Sequence, residues 1–485
     1  MFLGIDIGTS SVKVVLVDED ERIVASASEP LALSRPRPGF SEQDPENWWR
    51  AVLAAVDAVR AGAPQATGAV RGIGLSGQMH GAVLLDAAHA VLRPCILWND
   101  GRAVAECAEL EAAWPDLRRI TGNPAMPGFT APKLAWVRRH EPEIFARTAL
   151  VLLPKAYVRL RLTGEAVEEM SDGAGTLWLD PARREWSEAA LAATGLTRGH
   201  MPRLVEGNAP AGRLRPELAA RWGMAAAPVV AGGAGDNAAG AVGLGAVEPG
   251  SAFLSLGTSG VLWATTERFA PNPAAAVHAF CHALPERWHQ MGVILSAASC
   301  LAWWAGVAGQ PEAKLLAALG DRPAAPSPVL FLPYLSGERT PHNDAALRGV
   351  FAGLAHETDR EVMTQAVLEG VGFAFRDCLD ALAAAGTRIT AADVIGGGSR
   401  SGYWVTVLAA ILGLPLHRLA DGEAGAALGA ARLGRMAVTG ETPEAVCRPP
   451  RRLETVEPDA ALAAAYAERH ARYRALYPAV TAGLA

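Results

Sequence analysis

The tripeptide Gly-Thr-Ser occurs twice, as Gly8-Thr9-Ser10 and Gly257-Thr258-Ser259. Each copy lies between two short apolar runs, residues 2–7 and 12–17 in the first and 252–256 and 261–264 in the second. A strand, this turn and a second strand predict a β-hairpin. Its tip offers backbone N–H groups and two hydroxyls, and its glycine lets a ligand approach the main chain. Such a tip suits a phosphate. The same residue types also make ordinary turns, and either copy alone reads that way. The matched pair, about half the chain apart, predicts a duplicated domain whose halves close on one nucleotide. Asp6 stands two residues before the first copy and Ser255 holds that place in the second. Only the first half therefore brings a carboxylate to the phosphates, as a hairpin that also holds a metal would. There is no Walker A loop, and Lys13 falls on the strand after the first hairpin.

A second group of residues suits proton transfer. Ala231-Gly232-Gly233-Ala234-Gly235-Asp236-Asn237 joins a strand-like run to a helix-like one. Asp236 reads as a helix N-cap. It reads equally as a carboxylate kept ionised by the helix N-terminus, behind small residues that let substrate and phosphates come close. Phosphoryl transfer to an alcohol needs such a group to orient the hydroxyl and take its proton. The two roles are compatible.

Two further stretches suit a polyhydroxylated substrate. Gly77-Gln78-Met79-His80-Gly81 follows a strand end, where α/β proteins bind ligands, and an amide and an imidazole pair well with hydroxyls. Leu97-Trp98-Asn99-Asp100-Gly101-Arg102 adds an aromatic face and polar groups. A core tryptophan beside an Asn-Asp-Gly turn would look the same. Finally, Ile395-Gly396-Gly397-Gly398-Ser399-Arg400 forms a glycine turn opening a helix. That pattern is weak alone, but after the second hairpin it would let an adenosine moiety lie against bare backbone.

The elements that must position these residues are legible in outline. Residues 2–7, 12–17 and 22–27 read as strands, 45–59 as a helix, 70–75 and 228–233 as strands, and 393–395 as a strand leading to a helix through 412. After about residue 445 a basic, proline-containing turn leads to an Ala-rich terminal helix. Strands alternating with helices predict an α/β architecture with mostly parallel sheets. The 485 residues, 50% of them apolar, suffice for several large cores. A net charge of −6 without any basic cluster excludes a nucleic-acid or membrane-surface role. Lysine occurs only at Lys13, Lys133, Lys155 and Lys314, every other basic residue being arginine, a coding bias and not an adaptation to phosphate. The six cysteines lack metal-site spacing and read as reduced thiols. No signal-peptide core precedes Asp6, and the apolar stretch 225–244 is interrupted by Asp236, so a cytoplasmic protein without membrane spans is expected.

With these elements in order, the chain resembles the FGGY carbohydrate kinase family over nearly its full length. The resemblance is carried by residues 4–10, Ser41-Glu42-Gln43-Asp44-Pro45, 77–81, 97–100, Gly235-Asp236-Asn237, 254–259, Phe331 through Arg339 and the Gly396 turn. Residues 128–140, with Thr130, Lys133 and Trp136, and residues 349–369 resemble two patterns of the wider family. The Gln78-Met79-His80 triplet resembles the branch that acts on D-xylulose.

The resemblance implies two actin-like (ribonuclease H-like) ATPase domains, residues 1–247 and 248–485, with the active-site cleft between them. It implies phosphorylation of D-xylulose at its 5-hydroxyl by ATP with Mg2+. Asp236 would be the catalytic base, and Gln78, Met79, His80, Trp98, Asn99, Asp100 and Asn237 would bind the sugar. Gly8, Thr9, Ser10, Gly257, Thr258 and Ser259 would hold phosphates, Gly397, Gly398 and Ser399 would border the nucleotide, and Asp6 would sit beside the magnesium. A homodimer is common in the family. Another pentulose or a polyol stays open as the acceptor. Actin-type or chaperone-type ATP binding is the remote alternative, disfavoured because the two halves leave no room for a peptide-binding module.

Overall fold

The computed structural model describes residues 1–420 and 425–484. Two mixed sheets of seven strands each form its framework. In the first, the hydrogen-bonded order is Pro210–Arg213, Val229–Ala231, Gly72–Gly77, Phe2–Ile7, Ser11–Val17, Ile23–Pro30, with Ala234–Gly235 attached to Gly72–Gly77. In the second it is His278–Cys281, Trp288–Ile294, Gly260–Thr266, Ala252–Leu256, Ala392–Ile395, Leu416–Leu419, Arg452–Val456.

Both sheets follow one plan. Three antiparallel strands are succeeded by two parallel ones and an antiparallel edge strand. The expected duplication is therefore present in the strand order itself, with His278–Cys281 as an addition to the second copy. The edge strands arrive differently, Pro210–Arg213 before its neighbour in sequence and Arg452–Val456 after it.

Phe2–Ile7 and Gly72–Gly77 are buried on both faces, which is why they read as apolar or glycine-rich runs and not as alternating ones. The helix Pro45–Gly62 covers one face, burying Trp48, Val52, Ala55, Val56 and Val59. Its start is fixed by Asp44, whose side chain accepts from Glu46 N at 3.0 Å, and by Pro45 in the first turn. The helix Gly425–Thr439 covers the other face. It lies so close that a Cβ at Gly4, Gly72 or Gly74 would overlap the backbone of Ala427, Gly434 or Ala430. Gly429 meets the backbone of Ala239 in the helix Asp236–Leu244 in the same way. That glycine-lined helix pair joins the two halves.

Two sequence expectations need correction. The sheets are mixed and not mostly parallel, because each half opens with antiparallel hairpin-linked strands before its parallel ones. Residues 445–459 are more than a turn, because Arg452–Val456 pairs with Leu416–Leu419 and ends the second sheet. Its side chains are exposed or nearly so and no apolar period marks it. The terminal helix begins at Ala460. All six cysteines are unpaired. Among the described residues, no helix is long and apolar enough to cross a membrane.

Candidate active site

Between the two sheets lies a cavity of about 200 Å³. The first half contributes Met79, His80, Trp98, Phe129, Asp236 and Asn237 to its wall, and the second half contributes Ser259, His278, Phe280, Met291 and Arg339.

Asp236 reaches it through a loop that only small residues can form. Gly233 has φ +73°, and a Cβ there would overlap the carbonyl of Leu75, while one at Gly235 would come within 2.9 Å of the Met79 side chain. Ala234–Gly235 pairs in parallel with Ser76 and Gly77, and Gly235 N donates to Ser171 Oγ at 3.1 Å. Gly235 is the N-cap, so Asp236 is the first residue of the helix and its carboxylate does not cap it. Instead Oδ1 accepts from Asn237 N at 2.7 Å and Asn237 Nδ2 at 3.0 Å. Burial, and then the charge of Asp6, raise the Asp236 carboxyl to about 7 against those two hydrogen bonds.

Asp6 is the penultimate residue of the first strand, opposite Lys13 and Ser76 in the ladder. Burial raises its pKa, opposed first by the neighbouring Ser76 hydroxyl and then by the charge of Lys13. Its Oδ1 is buried without a hydrogen-bond partner. An unpartnered buried carboxylate oxygen near a second carboxylate fits Mg2+, which takes hard oxygen ligands.

His80 stands just past the Gly72–Gly77 strand with φ +69°, a strained conformation for a residue with a side chain. Its carbonyl accepts from Lys133 Nζ at 2.8 Å and Thr130 Oγ1 at 3.1 Å, which holds the turn. Its Nδ1 lies 2.7 Å from the carbonyl of Gly175. A carbonyl only accepts, so the proton is on Nδ1 and Nε2 is left as an acceptor. Burial pushes the imidazole down to about 3, so it is neutral at any ordinary pH. Burial likewise lowers Lys133 to about 7.

The other predicted sugar residues divide. Met79 and Trp98 line the cavity, Trp98 with 45% of its surface exposed. Gln78 does not. It is buried, its carbonyl accepts from Thr9 Oγ1 at 3.1 Å, and its amide donates to Gln43 Oε1 at 2.9 Å. Asp100 is also spent internally, accepting from Ser41 N and from the Arg102 guanidinium. Asn99 is exposed, beside residues 35–41 and away from the cavity.

The hairpins form as expected. Gly8 N donates to Ser11 O at 3.0 Å to close the first. The second is braced by Ala297 N and Ser299 Oγ, which donate to Thr258 O, and by Ala298 N, which donates to Gly257 O. The Gly396 turn packs directly beneath it. Gly396 has φ +87° and lies against the backbone of Leu256 and Gly257, and Gly398 lies under the Leu256 side chain. Only Gly397 of this turn's three glycines faces open space. The Ser399 hydroxyl donates to Gly396 O at 2.7 Å.

Sequence reasoning missed His278, Phe280, Phe129 and Met291 as parts of the wall. Their apolar or aromatic types look like core, and only the closure of one half on the other brings them here. Arg339 lay in a stretch already singled out, but without a role.

The geometry is a two-lobed cleft with a buried carboxyl group, an acceptor imidazole and a pair of Gly-Thr-Ser hairpins. Residues 1–243 match the N-terminal domain of the FGGY family of carbohydrate kinases and residues 252–438 match its C-terminal domain. The xylulose kinase of Escherichia coli (strain K12) is 53% identical, with 98% of each chain covered. A crystal structure of a xyloylose kinase from Brucella ovis is 58% identical and superposes with a TM-score of 0.97 over 99% of each chain. The xylulose kinase of Rhodospirillum rubrum superposes at 0.93 with 30% identity, over 99% of each chain. The duplicated sheet plan, the cavity between the sheets and these full-length matches have one common explanation: the chain belongs to the FGGY family of carbohydrate kinases.

Proposed function

We propose that this protein transfers the γ-phosphoryl group of ATP to the 5-hydroxyl of D-xylulose, yielding D-xylulose 5-phosphate and ADP. The observation that carries the reading is the 53% identity to a xylulose kinase across 98% of both chains. The cavity agrees with it chemically. Asp236 is the base: its carboxylate accepts the proton of the attacking hydroxyl as the O–P bond forms and the bond to the ADP oxygen breaks, and later releases that proton to solvent. His80 Nε2 accepts from a second sugar hydroxyl and so orients the chain of the sugar. Met79, Trp98 and Asn237 complete the sugar side. Gln78 and Asp100 act at one remove, by fixing Thr9 and the Trp98 loop, and Asn99 takes no part in the sugar site.

The amides of Thr9 and Ser10 and of Gly257, Thr258 and Ser259 face the phosphates, while Gly8, whose amide closes the first hairpin, lets them approach the main chain. Gly397 gives the nucleotide its bare surface, with Gly398 and Ser399 shaping the turn beneath. Asp6 would hold Mg2+, and the chemistry the ion would supply there is neutralisation of phosphate charge. The apolar wall of Phe129, Phe280 and Met291 excludes water from the transfer.

The first lobe is built from residues 1–247 together with the helix Gly425–Thr439, the rest of 248–485 forming the second, and the protein works as a homodimer in the cytoplasm, where ATP is supplied and its six thiols stay reduced. Sedimentation of the purified protein checks the dimer. The function is tested by ATP consumption with magnesium across pentuloses, glycerol, gluconate and polyols. A rate with D-xylulose far above all others is expected. A dominant rate with another acceptor would keep the kinase and replace the sugar.

A further inference from the structure

The cavity wall has an uneven supply of hydrogen-bonding groups. His80 Nε2 and the Asp236 carboxylate can only accept. Asn237 and Ser259 can do either, and the single N–H of Trp98 is already given to Thr9 Oγ1 at 3.0 Å. Arg339 is the group that can only donate. It comes from the second half and faces the cavity with no ion pair to any described carboxylate.

The guanidinium is held firmly. Its Nη1 lies 3.3 Å from His278 Nε2, which must accept, so His278 carries its proton on Nδ1, 3.0 Å from Asn123 Oδ1. Asn123 in turn donates to the carbonyls of Thr121 and Ala279. The backbone on either side is clamped as well. Glu338 Oε1 accepts from Arg339 N and Leu295 N, and Thr340 exchanges hydrogen bonds with Val293 and Ala276. Burial lowers the guanidinium pKa, the mark of a desolvated cation without a full counter-charge.

A 2-ketopentose closes its ring through the 5-hydroxyl. If that hydroxyl is the one phosphorylated, which rests on the function proposed above, the sugar binds as the open chain with a free C2 ketone. A hydroxyl can turn to donate or accept, whereas a ketone oxygen can only accept. We propose that Arg339, braced by His278 and Asn123, is a specificity-determining residue that binds the ketone oxygen and selects the open-chain ketose over the corresponding pentitol.

The test measures binding of D-xylulose and of xylitol to nucleotide-free protein by calorimetry, and kcat/KM for D-xylulose, in wild type, Arg339→Met and Arg339→Lys. The expected result is a rise of roughly 10- to 50-fold in the Kd of the ketose with less than about threefold for the pentitol, the size of one lost charge-assisted hydrogen bond. The Lys variant keeps the charge without the planar fork and falls between. Equal losses for both ligands, or none, would overturn the proposal. If Arg339→Met does not fold, the Lys variant decides by the same ratio. A wild type without activity on any ketose would instead remove the function on which the proposal rests.

Discussion

The indole Nε1 of Trp98 donates to the hydroxyl of Thr9 at 3.0 Å. That bond ties the wall of the cavity to the tip of the first phosphate-type hairpin. Thr9 Oγ1 also donates to Gln78, whose amide reaches Gln43, and Gln43 returns to the carbonyl of Thr9 at 2.7 Å. Sugar side and phosphate side therefore share one network. Trp98→Phe keeps the ring and deletes the donor. Its expected effect is a rise of roughly 3- to 10-fold in KM for both ATP and sugar, about one hydrogen bond's worth. Steady-state kinetics with each substrate varied in turn checks this, and a change confined to one substrate would contradict the coupling.

Asp236→Asn preserves shape and removes the base. Turnover should fall by about 10² to 10⁴, while binding of a non-hydrolysable ATP analogue, followed by calorimetry, stays within a few-fold. A fall of less than tenfold would leave Asp236 with a structural role only.

The same residue gives a pH prediction. Its carboxyl is raised from 3.8 to about 7 by burial and by Asp6. A raised acid contributes stability that is fully present below its unfolded pKa and is lost as pH rises through its folded pKa. At pH 8, without nucleotide or magnesium, wild type carries this buried charge and Asp236→Asn does not. The variant should therefore be the more stable at pH 8, by on the order of 4 kcal/mol, with the gap narrowing markedly by pH 5 and closing only below the unfolded value of 3.8. Urea titrations at the two pH values measure it, and a gap independent of pH would refute the shift.

Gly175 lies against the imidazole of His80, so closely that a Cβ would sit 2.7 Å from two ring atoms. Gly175→Ala should push the ring out of line and cost its Nδ1 hydrogen bond. KM for the sugar is expected to rise tenfold or more, with KM for ATP unchanged. Equal effects on both would take His80 out of the sugar site.

The glycine turn after Ile395 separates packing from binding. Gly398→Ala would drive a methyl into Leu256, whereas Gly397→Ala meets nothing within 4 Å. The first should lower the melting temperature by several degrees, as a small-to-large core change costs about 1–3 kcal/mol. The second should leave it unchanged and raise KM for ATP alone.

These contrasts show where the sequence was informative. A hairpin with Gly-Thr-Ser at its tip, or an aspartate after four small residues, is a local arrangement fixed by turn chemistry, and both formed where expected. Whether a polar side chain faces a ligand or its own fold is decided by partners far along the chain. Gln78 is consumed by Thr9 and Gln43, and Asp100 by Ser41 and Arg102, so neither reaches the cavity. Conversely, His278 and Arg339 join the wall only because the second half folds back across the first. Arg452–Val456 escaped notice because an exposed edge strand has no apolar period to betray it.

The helix Gly425–Thr439 belongs by sequence to the second half and by packing to the first sheet, where Gly4, Gly72 and Gly74 receive it. The first lobe is therefore incomplete until nearly the whole chain has been synthesised. A ribosome that has released only residues 1–247 holds a sheet with one bare apolar face. Truncated transcripts should accordingly yield aggregates and not a free-standing sugar-binding fragment, and the two lobes mature together in one late step.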